Sequence, residues 1–256
     1  MRMRRATHRQ MASLCFGLAI ALTVGTLAAP AAAQEPVAPE TLLRRMASTM
    51  IGADTIAVTV EELSDRVGSD GQKVLVAGEA TIRVSRPDRL LAKAVYDGRR
   101  IDTGYAGSDL LLLDHDRATY GTYPVSGPIS AALEVVSERF RAFAPVTELL
   151  SDGVLEKIQR DVVVMRDLGE KPVQGTTARH LLLLGTTRDV QLWIRVEEPV
   201  LPLRMVVTDV SVAKQPQRIF HLTEWRLGVE MAPEGLELRI PEGYRREEIR
   251  TLDPLE

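Results

Sequence analysis

Apolar residues recur at every second position along most of this chain, and after a first short helix one stretch alone, residues 128–153, takes up the 3.6-residue period of a helix instead. That rhythm limits the fold to strands that must pair and a helical piece that must rest on them. Ahead of the interruption, Ile56, Val58 and Val60 alternate with small or polar neighbours, and residues 73–85 return with Ala80, Ile82 and Val84 on one face. Residues 90–96, 110–113 and 118–123 continue the pattern, separated by Asp97-Gly98, Gly107-Ser108-Asp109 and Asp114-His115-Asp116. Turns this closely spaced give an antiparallel meander. Beyond the interruption, residues 162–168, 178–184, 190–196, 203–212 and 218–227 read as strands, broken at Lys171-Pro172, Gly185-Thr186-Thr187, Glu198-Pro199 and Gln215-Pro216. Residues 236–240 and 244–249 complete a set of about eleven or twelve strands.

The helical signals are compact. Pro39-Glu40-Thr41 opens a helix with Leu42, Leu43, Met46 and Met50 on one side and Gly52 just past its end. In the interruption, Ile129, Leu133, Val136 and Phe140 fall on one helix face. Pro145 starts a second short helix through Leu149 and Leu150, and Gly153 separates a third piece at 154–160. The expected fold class is mainly β (α+β), with an N-terminal helix and a central helical insert.

The first thirty-three residues set the compartment. Arg2, Arg4, Arg5 and Arg9 precede an apolar run from Met11 to Leu27, and small residues lead to Ala31-Ala32-Ala33. This describes a cleaved secretory signal peptide, with Gln34 as the first mature residue and residues 34–256 as a single domain. An uncleaved anchor is the alternative, against which stand Gly17, Gly25 and Pro30 within or beside the run. The only cysteine, Cys15, lies in the leader, so the mature chain has no disulfide or thiol chemistry. Because the leader carries four arginines and no acid, its loss takes the net charge from −3 to −7. That argues against nucleic acid as a partner, and few aromatics argue against a base-stacking platform.

Several local motifs occur in a telling order. Val84-Ser85-Arg86-Pro87-Asp88 ends an early strand, and Tyr96-Asp97-Gly98 leads to Leu110 and Tyr120. Leu192-Trp193-Ile194-Arg195 precedes Leu201-Pro202-Leu203-Arg204, and Trp225 precedes Ile240-Pro241-Glu242-Gly243. In this order and spacing the chain resembles the LolA-like periplasmic lipoprotein-carrier superfamily, and within it an uncharacterised family of predicted periplasmic proteins. The resemblance implies a curved, unclosed antiparallel half-barrel whose helices form a lid over an acyl-chain cavity. It also implies that Arg86 latches the lid, since the matching arginine of the carrier contacts the lid backbone. The carrier lines its cavity with aromatics, whereas the comparable strands here are aliphatic. On this picture Ile82, Val84, Leu133, Val136 and Phe140 line the cavity, with Phe140 and Phe143 also forming the core of the lid.

Other chemistry is thinly represented. Asp114-His115-Asp116 offers two carboxylates and an imidazole, but neighbours in a turn point apart, so no metal site is expected. His180 and His221 lie on strands, where each could act as acid or base with a distant carboxylate. Glu61-Glu62 and Glu197-Glu198 alternate across a strand and read as solvated edges. No nucleophile elbow, zinc helix or phosphate loop is present, and no cofactor is expected. The expectation is a periplasmic, non-enzymatic carrier or binder of a hydrophobic ligand, such as a lipid or the acyl chain of a lipoprotein. The alternatives are an envelope protein-interaction or sensor module using the same sheet, and a hydrolase acting through His180 or His221.

Overall fold

The computed structural model describes residues 38–140 and 143–249; the leader, its cleavage site and Gln34 lie outside the described residues. Helix α1 (Pro39–Ile51) has Pro39 and Glu40 in its first turn, and the Gly52 N–H donates back to the Ser48 carbonyl at 2.9 Å. Its apolar face, from Leu42 to Met50, is buried.

The first meander comprises β1 (Thr55–Val67), β2 (Lys73–Ser85), β3 (Arg89–Tyr96), β4 (Arg99–Ala106), β5 (Asp109–Asp114) and β6 (Thr119–Pro124). Then come the helices α2 (Ile129–Val135), continued by one π-helical turn (Val136–Phe140), α3 (Ala144–Leu150) and α4 (Val154–Gln159). The second meander follows as β7 (Val162–Val173), β8 (Thr176–Gly185), β9 (Arg188–Arg195), β10 (Pro202–Asp209) and β11 (Gln217–Leu227). The meanders join where β11 pairs antiparallel with β1, and the two-residue β12 (Arg245–Arg246) runs parallel to β6. The result is one open sheet in the order β12-β6-β5-β4-β3-β2-β1-β11-β10-β9-β8-β7, whose ends do not meet.

That sheet must curl. Laid flat, twelve strands would span about 50 Å. The four helices have 13, 7, 7 and 6 residues, so the longest reaches only about 20 Å. Yet Leu112 of β5 and Leu183 of β8, eight strands apart in the order, share one buried cluster with the helices. The sheet wraps its apolar face around the helices, as an unclosed half-barrel.

Four sequence expectations need correction. Lys171-Pro172 is not a break: β7 runs through it, and the turn is Gln174-Gly175, both at positive φ (49° and 78°). Strand β7 is outermost, and an edge strand tolerates proline because one hydrogen-bonding side faces solvent. The strand expected at 203–212 ends at Asp209. Residues 236–240 form no strand. A 3₁₀ turn (Pro233–Leu236) leads the chain across the outer face of β4, where a Cβ on Gly104 would lie 2.6 Å from the Leu238 Cβ. Of 244–249 only Arg245 and Arg246 pair with the sheet.

Candidate functional site

Alternation along β2, β3 and β4 decides what faces the helices. Ala80 pairs with Ala94, Ile82 with Ala92, and Ala94 with Ile101. Three neighbouring alanines make a shallow floor, flanked by Ile82, Leu90 and Ile101. The roof comes from the helical insert: Leu133, Val136 and Phe140 before the break, then Phe143, Thr147 and Leu150. Between them lies an apolar cavity of about 60 Å³. That is room for a few water molecules, well below the several hundred Å³ of a typical ligand pocket. The lid is down on its floor.

Arg86 stands at one end of this seam. Its side chain is 13% exposed and pairs through Nη1 with Asp152, whose side chain is 49% exposed, at 2.5 Å. Nη2 donates to the Leu150 carbonyl at 3.0 Å and to the Met50 carbonyl at 3.4 Å. Those carbonyls belong to the last turns of α3 and α1, where helical carbonyls lack partners and a cation is favoured. The adjacent Pro87 carbonyl accepts from the Ile129 N–H, the first residue of α2, at 2.7 Å. One strand end thus touches three helices. Elsewhere, Arg188 of β9 reaches Glu148 of α3 at 2.9 Å and the Lys157 carbonyl of α4. Arg139 of the π turn lies 4.5 Å over the Tyr123 ring and pairs with Glu248 at 2.9 Å.

The opposite end is polar. Along β1 the inward positions run Ile56, Val58, Val60, Glu62, Ser64 and Arg66, so an apolar stripe becomes a charged one without a change of period. Glu62, its side chain 0% exposed, accepts from Arg218 Nε at 2.8 Å. Arg66 donates to Ser64 Oγ at 2.9 Å and to the Tyr96 hydroxyl. Arg99 holds the buried Asp114 carboxylate through Nε and Nη2, at 2.9 and 2.6 Å. Tyr96 lies over Gly78, where a Cβ would come within 2.4 Å of its ring, and meets Phe143 edge-on at 6.1 Å between centroids. Burial, then the Glu62 charge, pushes the Tyr96 phenol up, against the opposing pull of Ser64, Arg66 and Arg218. Glu62 Oε2 and Arg218 Nη2 are buried with no hydrogen-bond partner among the described residues.

Four of the five cavity positions expected from sequence, Ile82, Leu133, Val136 and Phe140, line this space; Val84 does not. It faces the same way and is fully buried, but lies two residues nearer Arg86, paired between Ile56 and Leu90. Glu62 is likewise not a solvated edge, because its place in the alternation turns it inward to Arg218. Glu198 is solvated, 70% exposed beside Arg45. Sequence reading missed the polar end altogether, although the unbroken period from Ile56 to Arg66 was a signal for it.

The histidines lie elsewhere. His180 alternates with Leu181 and Leu183, and His221 with Phe220 and Leu222, all of the core, so both rings point to the outer face. His180 stacks on Trp193 at 3.9 Å and meets Gln191 Oε1 at 3.0 Å. Burial lowers the pKa of both. His115 bridges Asp102 at 3.2 Å and the Tyr244 hydroxyl at 2.8 Å, while Asp114 Oδ1 accepts the Asp116 and Arg117 N–H groups. The turn residues are used locally, and no group of three or more metal-ligating side chains occurs among the described residues.

Fold and site define an unclosed half-barrel whose hollow face is roofed by helices. The chain belongs to DUF2092, a family described as "Predicted periplasmic protein", which matches residues 39–249. A periplasmic location, expected from the leader, agrees with that description. Among the described residues, no helix is long and apolar enough to cross a membrane. No curated protein matches the chain significantly. Among solved structures it is similar to an uncharacterized conserved protein from Thermus thermophilus (13% identity, 80% of this chain and 96% of that one, TM-score 0.47). It is also similar to the Mycobacterium tuberculosis lipoprotein LppX (13%, 80% and 100%, 0.44). A third is a LolA superfamily protein from Nitrosomonas europaea (12%, 79% and 99%, 0.35).

Proposed function

We propose that the mature chain, released after Ala33, is a non-enzymatic periplasmic binder or carrier of a long acyl chain, held between the alanine floor and a lid that Arg86 latches. One observation carries the reading: two apolar surfaces face each other across a seam, and polar ties hold the lid from its margins. Such surfaces separate at modest cost if something apolar replaces the contact, and each buried methylene contributes about 0.8 kcal/mol. A cavity of about 60 Å³ is too small for a long chain, so binding must lift α2 and α3. Native mass spectrometry of protein purified from the periplasm, together with titration of a fluorescent fatty acid, tests this. The expected results are a co-purifying lipid and saturable one-to-one binding. Ligand-free protein that also ignores the fatty acid would defeat the proposal.

A second reading, an envelope protein-interaction module, draws on the outermost strand β7, where Val163 is 70% and Val164 40% exposed. Such an edge can accept an added strand from another chain. A stoichiometric protein partner from envelope extracts, with no lipid, would favour it. The hydrolase reading loses support, because His180 and His221 face away from the cavity.

A further inference from the structure

One stretch of strand edge lies open within the sheet. β1 and β2 pair along their whole length, from Thr55 with Ser85 to Val67 with Lys73, but β3 reaches only as far as Gly78, which pairs with Tyr96. Residues 73–77 therefore have a neighbour on the β1 side alone, over about 17 Å of strand. On the β3 side the Ala77 carbonyl accepts the Asp97 N–H at 2.9 Å. By the two-residue alternation of an antiparallel ladder, the Leu75 N–H and carbonyl point to that same side, where no strand lies among the described residues. Natural edges are blunted by charge, proline or a bulge. Here the pairing with β1 is regular, no proline occurs from 73 to 77, and the one charged residue, Lys73, is held by Asp65 at 2.7 Å. Leu75 is 63% exposed, and Val74, Leu63 and Val67 of the same hairpin are exposed too.

The charge beside this edge is of one sign. Glu61 and Glu79 face each other directly across β1 and β2, an arrangement that costs stability. With Asp97 they line an open groove of about 650 Å³ that also takes in Leu63 and Ala77. Among the described residues none of these three carboxylates is in an ion pair; Lys73 pairs with Asp65, and Arg100, opposite Val95, with Asp116. The one basic side chain in the lining is His221, whose pKa burial lowers from 6.5, so it does not offset them at neutral pH.

We propose that residues 73–77 take up an extended segment of a partner protein by strand addition, in line with β3, and that this segment alternates apolar residues and carries a lysine or arginine that meets Glu61, Glu79 and Asp97. Backbone bonds to Leu75 supply binding, and the carboxylates select the partner. The docked segment lies toward Tyr96 and Phe143, which meet over Gly78 at one end of the roofed cavity. The inference does not depend on the acyl-chain reading, because the edge is open while the lid is shut.

The test uses the full mature chain and three short synthetic peptides: alternating valine and threonine with a lysine at each end, the same with a glutamate at each end, and the lysine peptide with its backbone amides N-methylated. By fluorescence anisotropy the lysine peptide should bind about tenfold or more tighter than the glutamate peptide, the margin should shrink at high salt, and the methylated peptide should not bind. Binding should also slow exchange of the Leu75 amide. Leu75→Pro removes a donor from the open side without breaking a ladder bond, and should abolish binding with the unfolding midpoint nearly unchanged. Glu79→Lys should cut or reverse the preference for lysine. Failure of both unmethylated peptides to bind overturns the inference, and so does binding by the methylated one. Equal affinity for lysine and glutamate peptides overturns the basic partner. Protection at Val163 and Val164 in place of Leu75 moves strand addition to β7 and overturns the site. A dimer of the wild-type chain in sedimentation, lost in Leu75→Pro, makes a second copy the occupant and overturns the partner protein. If Leu75→Pro does not fold, the methylated peptide and Glu79→Lys decide.

Discussion

Arg86 and Glu62 illustrate two uses of charge in one small core. Arg86 satisfies helix-end carbonyls from a strand end, so its loss leaves the Leu150 carbonyl without that donor. Arg86→Met should destabilise the fold by about 1–3 kcal/mol and raise amide exchange in α2 and α3 more than in β8 and β9. Unchanged exchange in the helices would refute the latch. The half-exposed Asp152 is worth less, and Asp152→Asn should cost under about 1 kcal/mol. Glu62 and Arg218 form a buried pair in which breaking one side is worse than removing both. Glu62→Ala should cost about 3–5 kcal/mol in urea denaturation. Glu62→Leu combined with Arg218→Met should recover much of that, and additive losses would show that the two do not act as a pair.

At the scale of elements, the lid is a set of short pieces none of which is stable alone. Helices of 7, 7 and 6 residues fall well below the length at which an isolated helix holds in water. Their stability comes from the apolar face they lay on the sheet, so whatever fills that seam competes with the lid itself. The alanines of β2 and β3 are where the seam is loosest. Ala94→Leu should therefore fill the cavity, change stability by less than about 1.5 kcal/mol and weaken fatty-acid binding at least tenfold. Wild-type affinity in that variant would place the acyl site elsewhere. The insert's helical period was legible in Ile129, Leu133, Val136 and Phe140. Its π turn was not, since a one-residue change of winding leaves those apolar positions on the same face.

Across the whole molecule, stability depends on pH in two separate windows. The folded-state pKa of His180 and His221 is lowered from 6.5, chiefly by burial and further by Arg204 beside both and Lys171 beside His180. A lowered folded pKa means that the unfolded chain binds protons more readily. The stabilising contribution is thus complete above pH 6.5 and is lost as pH falls through and below that value toward the folded pKa values. Urea midpoints should drop between pH 7.5 and 5.5, and His180→Gln should flatten the slope; identical slopes would show that His180 does not contribute. Asp65 and Asp167 act in a lower window. Lys73 and Arg179 hold their carboxylates below 3.8, so that stability is lost only under stronger acid.

Most strands, the insert and the apolar inward face of each were legible because they depend on residues two to four apart: Ile56, Val58 and Val60 declare their face whatever lies opposite. Arg86 is different: only the resemblance of its Arg-Pro step to the carrier's marked it, because an arginine before a proline at a strand end is locally no more than a surface cation. The curl of the sheet, the partnership of Glu62 with Arg218 and the meeting of Arg66, Tyr96 and Arg99 depend on pairings between distant segments, such as β1 with β11, which local period does not encode. The site belongs to that second category: a cavity is set by what fails to fill the space between elements, and only the folded chain decides how much space there is.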